Sequence, residues 1–193
     1  MSITELVIKN RSYRRYNQSI RIERNELVSL VNLARHSASG TNRQPLKYLL
    51  FNSVEDCARI FPFTRWAGYL KDWDGPVEGE RPSAYIVILG DKSIAKNYFV
   101  DHGIAAQSIL LGATEKGYGG CMIGSIDRIG LYNEINLPEQ FEILLIVALG
   151  KPVEKVVIDD IIENKVEYWR DRLGTHHVPK RALDELIIEL ERK

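Results

Sequence analysis

The chain has 193 residues, 45% of them apolar and 27% charged, the proportions of one ordinary globular domain. Its 26 Lys plus Arg balance 26 Asp plus Glu, which argues against nucleic acid or a membrane surface as partner. No apolar run approaches the ~20 residues of a membrane span, and MSITELVIKNRSYRRY has no signal-peptide core, so a cytoplasmic protein is expected.

Taken in chain order, Ile3, Leu6 and Val7 fall at helical spacing, and a better helix carries Leu27, Leu30, Val31 and Ala34 on one face. That helix is expected to end near Ser37, where ASGTNRQP gathers small, polar, Gly and Pro residues. Lys47 to Asn52 reads as a strand, and Ser53 with Asp56 as a capping pair opening a short helix that holds Cys57. Residues 61–82 mix aromatics with turn residues and predict a long loop with at most one helical turn, a length often tied to function. Ser83 to Leu89 is an unbroken apolar run, the mark of a strand buried on both faces.

The strongest helix is predicted from Tyr98 to Lys116, stopped by Gly117. Its face of Ile104, Ala105, Ser108, Ile109, Gly112 and Ala113 is mostly small, which suits close backbone approach at the centre of the fold or on a dimer axis. A strand near Gly120 to Ile123, a short helix near Asp127 to Ile135, a last apolar strand from Ile143 to Leu149 and a closing helix from Ala182 to Leu190 complete the prediction. Helices and strands are mixed, giving an α+β three-layer domain with a sheet covered by helices.

Four clusters remain once core positions are set aside. Arg11-Ser12-Tyr13-Arg14-Arg15-Tyr16 is either a solvated face or an anion clamp, since arginine presents a rigid fork of donors. Ser37 to Pro45 is rich in side-chain donors and acceptors, though a plain helix-to-strand turn explains it as well. Gly117 to Ser125 is glycine-rich, but its glycines follow a helix and precede a strand. A dinucleotide fingerprint needs the reverse order, so that reading is rejected in favour of a turn or of close approach to something flat. His176-His177-Val178-Pro179-Lys180-Arg181 has no carboxylate or cysteine at metal-ligand spacing, and no metal is expected. Cys57 and Cys121 form no CxxC or Cys/His pattern and read as reduced thiols. No GxSxG elbow supports a nucleophilic triad.

In this order along the chain, RSxRRY, SxxNRQP, GxGGCxIGS and a C-terminal PKR resemble the nitroreductase family of flavoproteins, over about Lys9 to Leu190. The resemblance implies a three-layer α-β-α sandwich with a mixed or antiparallel sheet, one FMN-binding domain over 1–193, and a homodimer formed through the long central helix with FMN at the interface. It assigns Arg11 and Ser12 to the phosphate end of FMN, Arg14 to the pyrimidine edge, and Lys180 and Arg181 to the phosphate. Asn10 stands where many members carry a second arginine. Ser39, Asn42 and Gln44 match the turn that closes on the flavin, while Ile123 and Gly124 match the segment facing its N5.

The implied activity is a ping-pong oxidoreductase taking hydride from NADH or NADPH and reducing a flat, electron-poor acceptor such as a nitroaromatic or quinone. No protein acid or base is named, because the cofactor performs the redox step; Arg14 serves as an electrostatic stabiliser. Trp66, Tyr69 and Trp73, within 61–82, are either a substrate lid or an aromatic minicore. The alternatives are a non-catalytic FMN-binding or sensing protein, and the same fold with another flavin reaction such as dehalogenation or flavin fragmentation.

Overall fold

Ser2 starts the first helix. Its hydroxyl accepts from the Glu5 N–H at 3.2 Å and the Glu5 carboxylate accepts from the Ser2 N–H at 2.7 Å, a reciprocal cap that opens α1 (Ile3–Lys9). The computed structural model describes residues 1–190. Contacts divide the chain into two compact units, one of residues 1–66 and 74–153 and one of residues 67–73 and the chain from Glu154 onward.

In the first unit α1 is followed by β1 (Tyr16–Asn17), α2 (Arg24–Arg35), β2 (Leu46–Phe51), α3 (Val54–Ile60) and β3 (Ala84–Asp91). Then come α4 (Asp101–Glu115), β4 (Gly119–Ile123), α5 (Arg128–Glu134) and β5 (Phe141–Pro152). The expected Ser53 cap is present, its hydroxyl accepting from the Asp56 N–H at 3.0 Å. β5 is the spine of the sheet: β3, β4 and β1 all pair with it, and β2 lies outside β3. Every pairing in this sheet is antiparallel.

All of β3 is buried, as its unbroken apolar run predicts. Ala84, Ile86 and Ile88 join Leu27 and Leu30 of α2 and Ala105, Ile109 and Ala113 of α4 in one core. On the other side of the sheet, Cys57 of α3 lies with its Sγ 3.4 Å from the Ser83 carbonyl, and Arg128 of α5 holds the Ile143 carbonyl of β5 at 3.0 Å. The three layers are therefore helices, sheet and helices. Cys57 and Cys121 are buried, and neither takes part in a disulfide.

The small face of α4 has a packing cause. A Cβ on Gly112 would lie 2.3 Å from Leu33 Cδ1 and 3.0 Å from Leu30 Cδ2, so glycine is what lets α2 lie against α4. α4 begins three residues later than the predicted Tyr98. Phe99 sits at φ +44° and its N–H donates to the Asn97 side chain at 2.8 Å, an arrangement no helix contains.

The second unit departs from the sequence-based expectation. Ile143–Leu149 is not the last strand: β6 (Val156–Asp160), β7 (Trp169–Arg170) and β8 (His176–Lys180) form a further sheet. In it β6 pairs parallel with β8 and β7 pairs antiparallel with β8. The closing helix predicted over Ala182–Leu190 reduces to α6 (Leu183–Leu186). Among the described residues its apolar side chains stay exposed, Leu186 by 62%, Ile188 by 81% and Leu190 by 85%. A helix that short cannot offset its nucleation cost without packing. Among the described residues no helix is long and apolar enough to cross a membrane.

Candidate functional site

The RSYRRY segment is fixed against the glycine strand. Ser12 bridges Gly120, and the Tyr13 N–H donates to the Gly120 carbonyl at 3.0 Å. Arg15 donates from two nitrogens to Glu80, and the Tyr16 hydroxyl donates to the Tyr13 carbonyl. Arg11 turns back on α1, giving Nε to the Asn10 carbonyl and Nη2 to the Val7 carbonyl, each at 2.7 Å. A guanidinium has five N–H donors, so three of them remain for an anion. Asn10 is the buried C-cap of α1, its own N–H donating to the Leu6 carbonyl. Arg14 Nη1 donates to the Ser12 carbonyl at 3.2 Å.

The glycines of β4 have two different reasons. A Cβ on Gly119 would lie 2.5 Å from the Tyr13 ring and 2.5 Å from Pro152, and one on Gly120 would lie 2.5 Å from the Ala148 carbonyl oxygen. These two are bare so that the chain can pack on itself. Gly124 is exposed, and a Cβ there would meet nothing within 4 Å. Just before it, Ile123 is buried and pairs with Ile146 of β5. Arg128 fastens this exit, donating to the carbonyls of Gly124 at 3.3 Å, Ile143 at 3.0 Å and Leu144 at 3.1 Å.

The 39–44 turn carries backbone strain. Thr41, Asn42 and Gln44 take φ of +49°, +56° and +52°, the left-handed region that side chains disfavour. The first residue of α4 answers it. Asp101, 4% exposed, accepts from the Ser39 hydroxyl at 2.6 Å and from the Gly40 N–H at 2.9 Å. Ser39 Oγ in turn accepts from the Gln44 N–H at 2.9 Å, and Gln44 Nε2 donates to Asn42 Oδ1 at 3.1 Å. Ser39, Gln44, Tyr48, Asp101 and Ala105 line a cavity of about 150 Å³. Burial first, and then the Asp101 charge, push the Tyr48 phenol up to about 12. Sequence reasoning missed Asp101, because no local pattern ties a helix-start carboxylate to a turn some sixty residues earlier.

The remaining candidates divide between the units. Trp66 belongs to the first and is buried, its Nε1 donating to Thr64 Oγ1 at 3.0 Å and its ring 6.2 Å from that of Phe61. A Cβ on Gly75 would lie 2.8 Å from its indole. Tyr69 and Trp73 belong to the second. Tyr69 is half exposed and meets Tyr168 edge-on at 5.0 Å, while the Arg170 guanidinium covers the Trp73 ring at 4.2 Å. Lys180 ends β8 exposed, and Arg181 Nη1 donates to Asn164 Oδ1 at 3.0 Å and to Glu185 at 3.2 Å. His176 is fully buried, and His177 stacks on Trp169 at 4.0 Å between Asp159 and Asp171.

The Nitroreductase family model matches residues 7–151. The NAD(P)H nitroreductase YodC of Bacillus subtilis (strain 168) is 22% identical over 185 residues, covering 80% of this chain and 92% of its own. A nitroreductase of Exiguobacterium sibiricum 255-15, solved in complex with FMN, superposes with a TM-score of 0.65 at 19% identity, over 79% of this chain and 89% of that one. A nitroreductase family protein of Clostridium difficile 630 gives 0.63 at 22% identity, over 79% and 86%.

Proposed function

Because the chain belongs to the nitroreductase family, we propose that it is an FMN-dependent oxidoreductase. It takes hydride from NADH or NADPH and, in a second half-reaction on the same face, reduces a flat, electron-poor acceptor of the nitroaromatic or quinone kind. One observation carries the reading: Gly124 is bare although nothing in its own chain needs the space, whereas Gly119 and Gly120 are bare because neighbouring atoms demand it. The clearance over Gly124 suits a planar ring and a hydride donor above it.

The residues fit FMN chemically. Arg11 keeps three donors for a phosphate beyond the two that cap α1, and Ser12 offers an exposed hydroxyl beside it. The family resemblance adds Lys180 and Arg181 to the phosphate. Arg14 would place its fixed positive charge at the pyrimidine edge, where it favours the electron-rich form of the ring. Asn42 and Gln44 would present amide groups from the strained turn, and the Ile123–Gly124 backbone would face the ring without crowding it. When bound, FMN supplies an acceptor atom for hydride, and the protein's share is holding, orienting and tuning.

The working form is a homodimer with FMN at the subunit interface. Phe99, Val100 and Ile104 at the start of α4 are 66%, 67% and 36% exposed, apolar surface that a second copy would cover. The YodC relative bears a nitroreductase name, which favours turnover over flavin storage or sensing.

The test is the anaerobic visible spectrum of protein saturated with FMN, before and after NADH or NADPH. Bleaching within seconds, with a dimer mass in light scattering, supports the reading. Bound flavin that stays yellow points to a binding or sensing role, and protein that takes up no flavin overturns the proposal.

A further inference from the structure

The 39–44 turn is held by a single buried carboxylate. Both Asp101 oxygens are committed to it, Oδ2 to the Ser39 hydroxyl at 2.6 Å and Oδ1 to the Gly40 N–H at 2.9 Å. A buried carboxylate without donors is costly, so these two bonds bind carboxylate and turn to each other. The relay continues through Ser39, whose oxygen accepts from the Gln44 N–H at 2.9 Å. Its two ends bracket Thr41, Asn42 and Gln44, the three residues in the left-handed region. Strain of this kind persists only where the surroundings over-determine it.

We infer that Asp101 is the positioning residue that holds the Ser39–Gln44 turn in its flavin-receiving shape, and that Ser39 is an internal brace of that turn, not a donor to the flavin. This rests on the FMN reading above. A hydroxyl has one hydrogen to give, and Ser39 gives it to Asp101. The amides of Asn42 and Gln44, at the exposed crest of the turn, are the groups left to meet the cofactor. The long helix α4 thereby sets the turn directly, through its first residue.

The test has two arms. In cofactor-free protein, amide hydrogen exchange is followed at Gly40 and Gln44 in the parent, Asp101→Ala, Asp101→Asn and Ser39→Ala. Asp101→Ala is expected to speed both amides at least tenfold while amides of β3 and β5 keep their protection. Ser39→Ala should speed Gln44 alone, and Asp101→Asn, which still accepts from Gly40, should fall between. In the second arm FMN is titrated by fluorescence and its visible circular dichroism recorded. At least tenfold weaker binding with an altered dichroic band is expected in Asp101→Ala, with little added by Ser39→Ala in that background. Unchanged exchange at Gly40 and Gln44 in Asp101→Ala overturns the inference, as does Ser39→Ala weakening FMN additively with it. A parent that binds no FMN instead sinks the proposed function and the flavin-receiving part of the inference, while the exchange arm still decides whether Asp101 sets the turn.

Discussion

Arg15 and Glu80 meet in a two-armed pair, Nε donating to Oε2 at 2.6 Å and Nη2 to Oε1 at 2.5 Å, with each side chain about a third exposed. The Tyr16 N–H adds a bond to the Glu80 carbonyl at 2.9 Å. The chain entering residue 83 is thus tied to the RSYRRY segment, so the segment is held from both sides, by Gly120 and by Glu80.

Removing that tie has a modest cost, because a partly exposed pair is screened by water. Glu80→Gln should lower stability by about 1 kcal/mol, read as a shift in the urea midpoint. An unchanged midpoint would show that the backbone bond to Tyr16 does the holding.

Gly120 and Gly124 should respond in opposite ways. Gly120→Ala forces a Cβ to 2.5 Å from the Ala148 carbonyl oxygen, backbone that cannot swing aside. A loss of about 3 kcal/mol is expected, measured by chemical denaturation. Gly124→Ala adds a Cβ that meets nothing in its own chain and should melt within a degree or two of the parent. It should slow reduction of bound FMN by NADH at least tenfold in stopped flow, and parent-like reduction would remove Gly124 from the reacting face.

The two arginines of the first cluster should separate by phenotype. Arg11→Ala should mainly weaken retention of FMN, seen as a higher Kd at unchanged reduction rate in saturated protein. Arg14→Ala should lower the flavin potential and slow hydride uptake with FMN still bound, since the charge that favours the electron-rich ring is gone. Equal effects in both variants would undo the assignment of phosphate end and ring edge.

Cys57 gives a pH prediction. Burial raises its thiol from 9.0 to about 11. The unfolded chain then loses a proton above pH 9 that the folded chain keeps until about 11, so unfolding is favoured as pH rises through that window. Stability measured from pH 8 to 11 should fall, and the fall should be shallower in Cys57→Ala. Thiol reagents should leave native Cys57 unmodified at pH 8. Rapid labelling without unfolding would contradict this burial.

Residues that act on near neighbours were legible in sequence. Helical spacing placed α2, and apolar runs bounded by turn residues placed β2, β3, β4 and α5 within a few residues, because these signals are written in neighbouring positions. Local chemistry exposed the Ser53 cap, and the ordered motifs exposed the family. The tail was misread for the opposite reason. Apolar spacing over Ala182–Leu190 promises a helix, yet among the described residues those side chains stay exposed; β6 to β8 are short strands that pairing, not pattern, creates.

The sequence by itself determined that the chain is α+β, that Ser83 to Leu89 forms a strand buried on both faces and that four motifs follow the flavoprotein order. Only the tertiary structure decided which glycine serves packing and which leaves space, since that depends on atoms brought from β5 and Tyr13. It also decided that Asp101 governs the turn sixty residues before it, because a carboxylate is recognised by the donors that surround it and those are assembled by folding alone.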